Sequence, residues 1–460
     1  MKKNNDFYSV HNRFYLFLIT LCTIINFPYL HAQTPIPNGN EFQVNTHTSN
    51  NQRGPGIALD EDGNFVVSWG SSEQDGSDSG IYAQLFNKDG SPKGNEFRVN
   101  TTTASVQSGA SVGMDRDGDF VIAWQSDGQD GSGFGIYAKQ YDKNGNPTSG
   151  EFQVNSHTSS SQVSPSVAMD CDGNFVITWT SDGQDGSGSG IYAQRYNSDG
   201  TTNDNEFLVN THTDNNQEIS KIDVACDGHF IITWQSLNQD GSANGIFAQR
   251  YNNDGTIEGG EFQVNTYTAN HQAGSNVGIN NDGVFVIAWQ SKAQASTEKN
   301  HDVYAQLYNN NGTPNGSEFL VNTVTINGAQ SAVNTDIDED GNFVIAWQSG
   351  TGFSFNVFAQ LYDSNGMPEG NQFRVNTFTS GRQRFPSVGM VNDGDFVIAL
   401  QSEYQDGSGD GIFARRYGVF STNEVPTLSE WGLLILALLL MILGTLYLLQ
   451  PRFDEKYDGI

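Results

Sequence analysis

Carboxylates at alternate positions recur in four turns of the sequence. The pairs are Asp60/Asp62, Asp115/Asp117, Asp170/Asp172 and Asp338/Asp340. Such a pair could contribute to a Ca²⁺ site, but a Ca²⁺ loop needs further oxygen ligands, and no third spaced Asp or bidentate Glu follows. Three corresponding turns lose the first Asp to Ala225, Asn280 and Val391. Because Asp-Gly is itself a strong hairpin signal, we interpret these turns as structural and predict no bound metal or cofactor.

A second carboxylate recurs in a Gln-Asp-Gly-Ser segment that occurs five times. The aspartates at this position are Asp75, Asp130, Asp185, Asp240 and Asp406. A group of loop carboxylates could bind a ligand, whereas the simpler interpretation is that each Asp caps the backbone of its own Gly-rich loop. The pattern favours capping and leaves a binding role open.

Aromatic side chains accompany these loops. Phe134, Phe353, Phe355 and Tyr404 could stack on a sugar, grip a peptide, or simply pack among the loops. Two of the corresponding loops depart from the Asp pattern and read SKAQASTEKNHD and SGTGFSFN. Binding sites often form where a rigid scaffold displays such variation, so the four rings and the five aspartates are our candidate ligand-binding residues.

No residue pattern indicates a catalytic centre. The eight His are scattered, and no Ser/His/Asp or Cys/His set stands at a recognisable spacing. The 52 acidic residues could include the carboxylate pair of a carbohydrate-active hydrolase or lyase, but the sequence alone does not pair them. We predict a protein that is not an enzyme and keep that hydrolase or lyase as an alternative.

These candidate residues belong to a repeat of about 55 residues in seven copies. Glu-Phe-x-Val-Asn starts at 41, 96, 151, 206, 261 and 318, with a Gln-Phe-Arg-Val-Asn variant at 372. Asp-Gly recurs at 62, 117, 172, 227, 282, 340 and 393. Trp recurs at 69, 124, 179, 234, 289 and 347 and is replaced by Leu400 in the last copy. Three markers in phase establish the repeat.

Each repeat predicts four short strands, and the two middle strands are apolar on both faces. A sheet that is buried on both faces must lie between neighbours, so seven such sheets predict a closed all-β ring, a seven-bladed β-propeller. An open stack of repeats is the alternative, but it needs polar capping repeats, and the sequence shows none.

The order of the strands predicts how the ring closes. The longest regular connection follows Glu-Phe-x-Val-Asn, which places this segment at the outer edge of a blade. One copy precedes the first inner strand and none follows the last third strand, so residues 41–45 should complete the final blade. The loops between second and third strands then share one face with the interblade crossings, and the five loop aspartates form a broken ring on that face.

Cys171 and Cys226 occupy the same position in adjacent repeats. A disulfide between them needs the two Cα atoms within about 7 Å. We expect free thiols at these equivalent positions, although an exported protein permits a disulfide.

The two ends of the chain predict export and a membrane segment. Residues 1–33 combine Lys2, Lys3 and Arg13 with an apolar run, as in a secretory signal peptide. Residues 433–449 form an uncharged stretch that as a helix is long enough for a thin bilayer. We predict a propeller over 34–420, a linker over 421–432, a transmembrane helix over 433–449 and a short tail over 450–460.

The linker contains a motif ahead of the apolar stretch. Its residues are Val425, Pro426, Thr427, Leu428, Ser429, Glu430, Trp431 and Gly432. This block resembles the IPTL-CTERM protein-sorting signal, although Val425 replaces the usual Ile and the tail mixes acidic with basic residues. The resemblance implies export in a Gram-negative bacterium and recognition by an exosortase-type enzyme in the membrane.

The charge balance narrows the choice of partner. The chain has 22 Lys and Arg against 52 Asp and Glu, a formal charge of −30, which argues against nucleic acid as a partner. We therefore predict an envelope or surface protein that binds a glycan, peptide or matrix component through one propeller face. A structural surface coat or stalk is a further alternative.

Overall fold

Each repeat forms one antiparallel sheet in the computed structural model of the chain. The structure describes residues 35–295, 301–323, 328–418 and 440–441. Seven sheets surround a central cavity that residues of all seven inner strands line. The seven-bladed β-propeller predicted from the repeats is therefore confirmed.

The chain divides into two units, Met1–Val419 and Phe420–Ile460. The predicted signal peptide, the sorting motif and most of the apolar stretch lie outside the described residues. The signal peptide, the transmembrane helix and the domain boundaries therefore stay predictions. No helix in the part of the chain that the structure describes has the length and hydropathy needed to cross a membrane.

The strands of a blade follow one another from the channel outward as an inner, a second, a third and an outer strand. Two short strands, β1 (Ile36–Pro37) and β2 (Phe42–Gln43), precede blade 1. Blade 1 contains β3 (Gln52–Leu59), β4 (Phe65–Ser72), β5 (Ser79–Phe86) and β6 (Pro92–Arg98). Blade 2 contains β7 (Gln107–Met114), β8 (Phe120–Asp127), β9 (Phe134–Tyr141) and β10 (Phe152–Gln153). Blade 3 contains β11 (Gln162–Met169), β12 (Phe175–Asp182), β13 (Ser189–Tyr196) and β14 (Thr202–Leu208).

The remaining blades repeat this order. Blade 4 contains β15 (Gln217–Val224), β16 (Phe230–Leu237), β17 (Asn244–Tyr251) and β18 (Ile257–Gln263). Blade 5 contains β19 (Gln272–Ile279), β20 (Phe285–Lys292), β21 (His301–Tyr308) and β22 (Phe319–Leu320). Blade 6 contains β23 (Ala329–Ile337), β24 (Phe343–Thr351), β25 (Ser354–Tyr362) and β26 (Pro368–Arg374). Blade 7 contains β27 (Gln383–Met390), β28 (Phe396–Glu403) and β29 (Asp410–Gly418).

The N-terminus supplies the outer strand of blade 7. Phe42 of β2 pairs with Ala414 of β29, in the register in which Phe97 pairs with Ala83 in blade 1. Strand β1 extends the same edge, with Ile36 opposite Gly418. The predicted closure of the ring by residues 41–45 is confirmed.

The hydrophobic core is divided into seven layers, one between each pair of neighbouring blades. In the layer between blades 1 and 2, Phe120 stacks on Tyr141 with ring centroids 5.0 Å apart. Phe97, from the outer strand of blade 1, contacts the same Tyr141 at 5.4 Å. The Phe of each Glu-Phe-x-Val-Asn segment therefore packs against the next blade, as Phe42 does against Phe86 at 5.5 Å.

The expectation of free thiols is wrong. Cys171 and Cys226 form a disulfide between blades 3 and 4, with Cα atoms 4.6 Å apart. The turns that carry them follow the inner strands, which converge on the axis of the ring. Equivalent positions of adjacent blades are therefore close there, although they are far apart at the rim.

Deleting residues 34–46 should lower the free energy of unfolding of the full chain by about 5 kcal/mol or more. Phe42 and Val44 each lose roughly 1.5–3 kcal/mol of burial, and the buried hydrogen bonds of Asn45 are lost. A deletion of residues 34–38 is the matched control, because Ile36 and Pro37 are exposed. Thermal unfolding followed by circular dichroism measures both variants, and equal melting temperatures for the two deletions would contradict the closure.

Candidate functional site

A buried asparagine ends each Glu-Phe-x-Val-Asn segment and joins two blades. In blade 1, the Asn100 side-chain oxygen accepts a hydrogen bond from the Ile81 N–H at 2.7 Å. Its amide group donates to the Thr102 carbonyl at 2.8 Å and to Gln107 Oε1 at 3.2 Å. Thr102 lies in the crossing and Gln107 begins the inner strand of blade 2. One side chain thus fixes the outer strand, the crossing and the next blade together.

The Glu that opens the same segment holds the preceding crossing. Glu96 accepts hydrogen bonds from the Thr46 N–H and from Gln74 Nε2, both at 2.6 Å. At the ring closure, Glu41 accepts the same two bonds from Thr377 and Gln405, also at 2.6 Å. The Gln and the Glu of the two recurring segments are therefore partners, which gives both a structural role.

The loop aspartates predicted as ligand-binding residues cap their own loops. One oxygen of each accepts the N–H of the serine two residues later at 3.0–3.1 Å, in Asp75, Asp130, Asp185, Asp240 and Asp406. The other oxygen of Asp75 lies 3.3 Å from Asn100 Nδ2. It also lies close to Gly80, where an added Cβ would be 2.5 Å from that oxygen. Each side chain is half-buried, so the capping interpretation describes the observed geometry, and a binding role stays a prediction.

In blades 5 and 6, a residue of the third strand replaces the loop aspartate as the hydrogen-bond acceptor of the buried asparagine. Ala295 stands where the other loops have Asp, and Asp302 stands where Gly80 stands in blade 1. The Asp302 carboxylate accepts the amide of Asn322 at 3.0 Å, and Asn356 accepts the amide of Asn376 at 2.8 Å in blade 6. The buried asparagine therefore keeps an acceptor in these blades, because the acceptor moves from the loop position of Asp75 to the strand position of Gly80.

The Asp-x-Asp-Gly turns are also held by their own amides. Asp60 accepts the backbone N–H and the side-chain amide of Asn64, both at 2.8 Å. Asp170 and Asn174 repeat these contacts at 2.8 Å in blade 3. The first Asp of the turn is thus a backbone cap, as the structural interpretation of the sequence predicts.

The four candidate rings differ in exposure. Phe353 is 83% exposed and Tyr404 is 62% exposed, whereas Phe134 and Phe355 are half-buried. All four lie in or next to the loops between second and third strands. Tyr404 has a positive φ of 65°, at a position where Gly128 and Gly183 stand in blades 2 and 3. The loop thus holds a large exposed ring in a backbone conformation that favours glycine.

Arginines that the sequence analysis did not single out lie beside these rings. The Arg382 guanidinium lies over the Phe353 ring at 4.7 Å, and Arg384 lies 5.6 Å from the ring of Phe385. Phe385 is 44% exposed. Arg53 and Arg384 both form ion pairs with Asp410, at 2.7 and 3.3 Å. We call this group the aromatic–arginine patch: Arg53, Phe353, Arg382, Arg384, Phe385 and Tyr404.

The central channel carries a second group of polar residues. We define two rows by equivalent positions of the seven inner strands. The upper channel row is Gly56, Ser111, Ser166, Lys221, Asn276, Asn334 and Ser387, and the lower channel row is Ala58, Gly113, Ala168, Asp223, Gly278, Asp336 and Gly389. Except for Gly278, the residues of both rows line a cavity of 670 Å³.

Two carboxylates stand in a row that is otherwise Gly and Ala. Asp223 accepts the Ile279 N–H of blade 5 at 2.8 Å, and Asp336 accepts the Met390 N–H of blade 7 at 2.8 Å. Each also accepts the N–H of the following residue at 2.9 Å. Repeat position was the available signal, because the lower row is Gly or Ala in the other five copies.

Burial in the channel changes the ionisation of these groups. Burial raises the pKa of Asp223 to about 7. Burial, and then the negative charge of Asp223, raises the pKa of Asp336 to about 8. Burial lowers the pKa of Lys221 in the upper row. Water reaches part of these side chains along the channel, but protein surrounds them, which is why desolvation is the main cause. The pair therefore retains a proton near neutral pH.

Because blade 5 has its acceptor on the third strand and not in the loop, we expect that moving the Asp of blade 1 in the same way restores stability. Asp75→Ala should cost about 1–2 kcal/mol in free energy of unfolding, because the loop cap and the acceptor for Asn100 are lost. Gly80→Asp should also destabilise, because its Cβ meets the Asp75 carboxylate. The double variant reproduces blade 5 and should be more stable than the sum of the single effects predicts. Chemical denaturation of the four proteins measures this coupling, and strictly additive effects would contradict it.

Comparisons with known proteins agree with the two parts of this description. Residues 425–447 match the IPTL-CTERM motif, which indicates an exported protein that is sorted to the bacterial cell envelope. No curated protein matches the chain in sequence. The fold is similar to a protein of unknown function from Dyadobacter fermentans, with 9% identity, 84% of this chain and 99% of that chain covered, and a TM-score of 0.51. It is also similar to an ulvan lyase of polysaccharide lyase family PL25, bound to an oligosaccharide, with 9% identity, 83% and 96% coverage, and a TM-score of 0.50. At this identity the similarity establishes the propeller fold alone.

Proposed function

We propose that this protein is a non-enzymatic binding module of the cell envelope, and that its loop face binds a glycan that carries acidic groups. The observation that carries the proposal is the aromatic–arginine patch on blades 6, 7 and 1. It combines the two most exposed aromatic rings of the described loop face with three arginines in a chain of formal charge −30.

The exposed rings support recognition of a sugar. Phe353 and Tyr404 place flat apolar surfaces in water, and such surfaces stack on the apolar face of a sugar ring. The positive φ of Tyr404 is shared by Glu73, Asn238 and Ala293 at the same loop position, so the exposed ring, and not the backbone conformation, distinguishes this loop. Packing within the loop does not bury this ring, so the loop gains no core contact from it.

The arginines support the acidic character of the glycan. Among the described residues, Arg382 has no carboxylate within ion-pair distance, and its guanidinium rests on Phe353. A guanidinium over an aromatic ring can still bind a carboxylate or sulfate through two N–H groups. Asp410 forms ion pairs with Arg53 and Arg384 and neutralises part of their charge, so Arg382 supplies most of the attraction for the acidic groups of the glycan.

The C-terminal motif supports display at the envelope. We infer that Val425 to Gly432 is recognised by an exosortase-type enzyme and that residues 433–449 hold the chain in the membrane before sorting. A signal peptide at residues 1–33 is the matching requirement for export. A structural surface coat is the remaining alternative, and it gives no role to the aromatic–arginine patch.

The hydrolase or lyase alternative has one observation in its favour. Asp223 and Asp336 are a carboxyl pair that titrates near neutral pH, which general acid–base catalysis requires. Both lie inside the channel on inner strands, away from the exposed loop face, so a polymer lying across that face does not meet them. Binding is therefore the better-supported function.

Phe353→Ala and Arg382→Ala should each weaken binding of polygalacturonate by about tenfold, because each removes roughly 1.4 kcal/mol of stacking or charge-assisted hydrogen bonding. Dextran, which is neutral, should bind weakly to the wild type, and Arg382→Ala should lower the affinity for dextran less than it lowers the affinity for polygalacturonate. Ile257→Ala is the matched control, since Ile257 is an exposed apolar residue on the outer strand of blade 4.

Surface plasmon resonance on the full chain measures these affinities. Equal affinities of the three variants and the wild type would place the ligand elsewhere. Release of shorter sugars by the wild type, lost in Asp336→Asn, would instead establish the hydrolase or lyase.

The double variant Pro426→Ala/Trp431→Ala should change the size and the envelope location of the protein in cell fractionation, because it removes two residues of the sorting motif. Lys456→Ala in the tail is the control and should leave both unchanged. If the double variant fractionates and migrates as the wild type does, the sorting proposal is wrong.

A further inference from the structure

Lys221 departs from the structural pattern of the upper channel row. Other side chains in this row accept an N–H of the next inner strand: Ser111 from Val167 at 3.1 Å and Asn334 from Val388 at 2.7 Å. Ser387 and Asn276 do the same at 3.3 and 3.1 Å. A lysine ammonium has donors and no acceptor, so Lys221 does not perform this role.

Lys221 also lacks a partner of its own. Within the described part of the chain, its ammonium has neither an ion pair nor a hydrogen-bond acceptor, although Asp223 lies two residues further along the same strand. Enclosing an unpaired ammonium is unfavourable, and the lowered pKa of Lys221 has this desolvation as its cause. An anionic group that enters the channel would supply the missing partner.

The wall of blades 4 to 6 has donors above and acceptors below. Lys221, and the side-chain amides of Asn276 and Asn334, whose oxygens are already bonded to the backbone, supply donors in the upper row. Asp223 and Asp336 supply acceptors in the lower row. The two rows are two residues apart along a strand, which is about 7 Å. This distance matches a small molecule with an acidic group at one end and hydroxyl groups at the other.

The rest of the channel leaves room for such a molecule. The opposite wall, from blades 1 to 3, carries only small side chains in both rows, from Gly, Ala and Ser. The lower end is lined by apolar side chains at the ends of the inner strands, including Leu59, Met114, Met169 and Met390. The cavity of 670 Å³ is of the size of natural small-molecule sites.

We propose that the channel is a binding site for a small sugar acid, whose carboxylate pairs with Lys221 and whose hydroxyl groups bond to Asp223 and Asp336. The proton that the two carboxyl groups retain near neutral pH lets the pair donate as well as accept hydrogen bonds, which suits hydroxyl ligands, and it limits repulsion of the anion. Phe385 of the aromatic–arginine patch also lines this cavity. The proposed contacts with Lys221, Asp223 and Asp336 involve no residue of the patch, so the proposal does not depend on the function proposed for the patch.

Isothermal titration calorimetry of the full chain with glucuronate tests this site. Glucuronate should bind, and glucose, which lacks the carboxylate, should bind at least about tenfold more weakly. Lys221→Met should weaken glucuronate binding at least about tenfold, whereas Lys221→Arg keeps the charge and should retain most of it. Phe353→Ala should leave glucuronate binding unchanged, which separates this site from the loop face.

The stability of Lys221→Met distinguishes a ligand-binding lysine from a structural one. Removing an unpaired, desolvated ammonium should leave the melting temperature unchanged or raise it, in the absence of glucuronate. A lowered melting temperature would assign Lys221 a structural role and overturn the proposal. Absence of glucuronate binding to the wild type, or equal binding to Lys221→Met, would also overturn it.

Discussion

The fold depends on one buried asparagine per blade. Its carboxamide offers an acceptor and two donors at the end of a short side chain, and the structure uses both kinds: the oxygen binds the third strand, and the amide binds the crossing and the Gln that begins the next blade. A buried donor or acceptor without a hydrogen-bond partner lowers the free energy of unfolding by about 1–3 kcal/mol. The asparagine oxygen makes its bond in all seven blades, and the amide reaches the Gln of the next blade in five of them. Asn45 makes both bonds at the closure, so the N-terminus is bound by the same contacts that join blades 1 to 4 to the blades that follow them.

The repeated residues made the fold predictable. The period, the Asp-Gly turns and the apolar middle strands indicate seven four-stranded blades, and the extra copy of Glu-Phe-x-Val-Asn before the first inner strand indicates the closure. The sequence did not reveal the partners of the repeated acids. Asp75 meets Asn100 only after two strands and a turn have folded, and Asp302 performs the same task from the third strand itself. The repeated acids therefore indicated that the position is important, but they did not indicate which group accepts a hydrogen bond there or which group donates it.

Convergence on the axis explains what sequence reasoning missed. Cys171 and Cys226 are one period apart, and the period gives no distance in space, yet the inner strands bring their turns close enough for a disulfide. For the same reason the charges of Asp223 and Asp336 interact across the channel, although a whole blade separates the two residues along the chain. The signal available in the sequence was the exception within a repeated position: Asp in a row of Gly and Ala, and Lys in a row of Ser, Asn and Gly.

Residues that depart from the repeat are the best candidates for function in this molecule, because the repeated residues have structural contacts that explain them. The loop aspartates recur because each caps its own loop in five blades, and blades 5 and 6 lack this cap but keep an acceptor for the buried asparagine by another route. Lys221, Phe353, Arg382 and Tyr404 have no such equivalents. Lys221 is desolvated without a partner, and Phe353 and Tyr404 hold large rings in water. An unpaired charge or a large exposed ring that occurs in one copy and not in the others is better explained by a ligand. These residues lie in blades 4 to 7. The seven blades therefore share one architecture, whereas the candidate ligand-binding residues are confined to four of them.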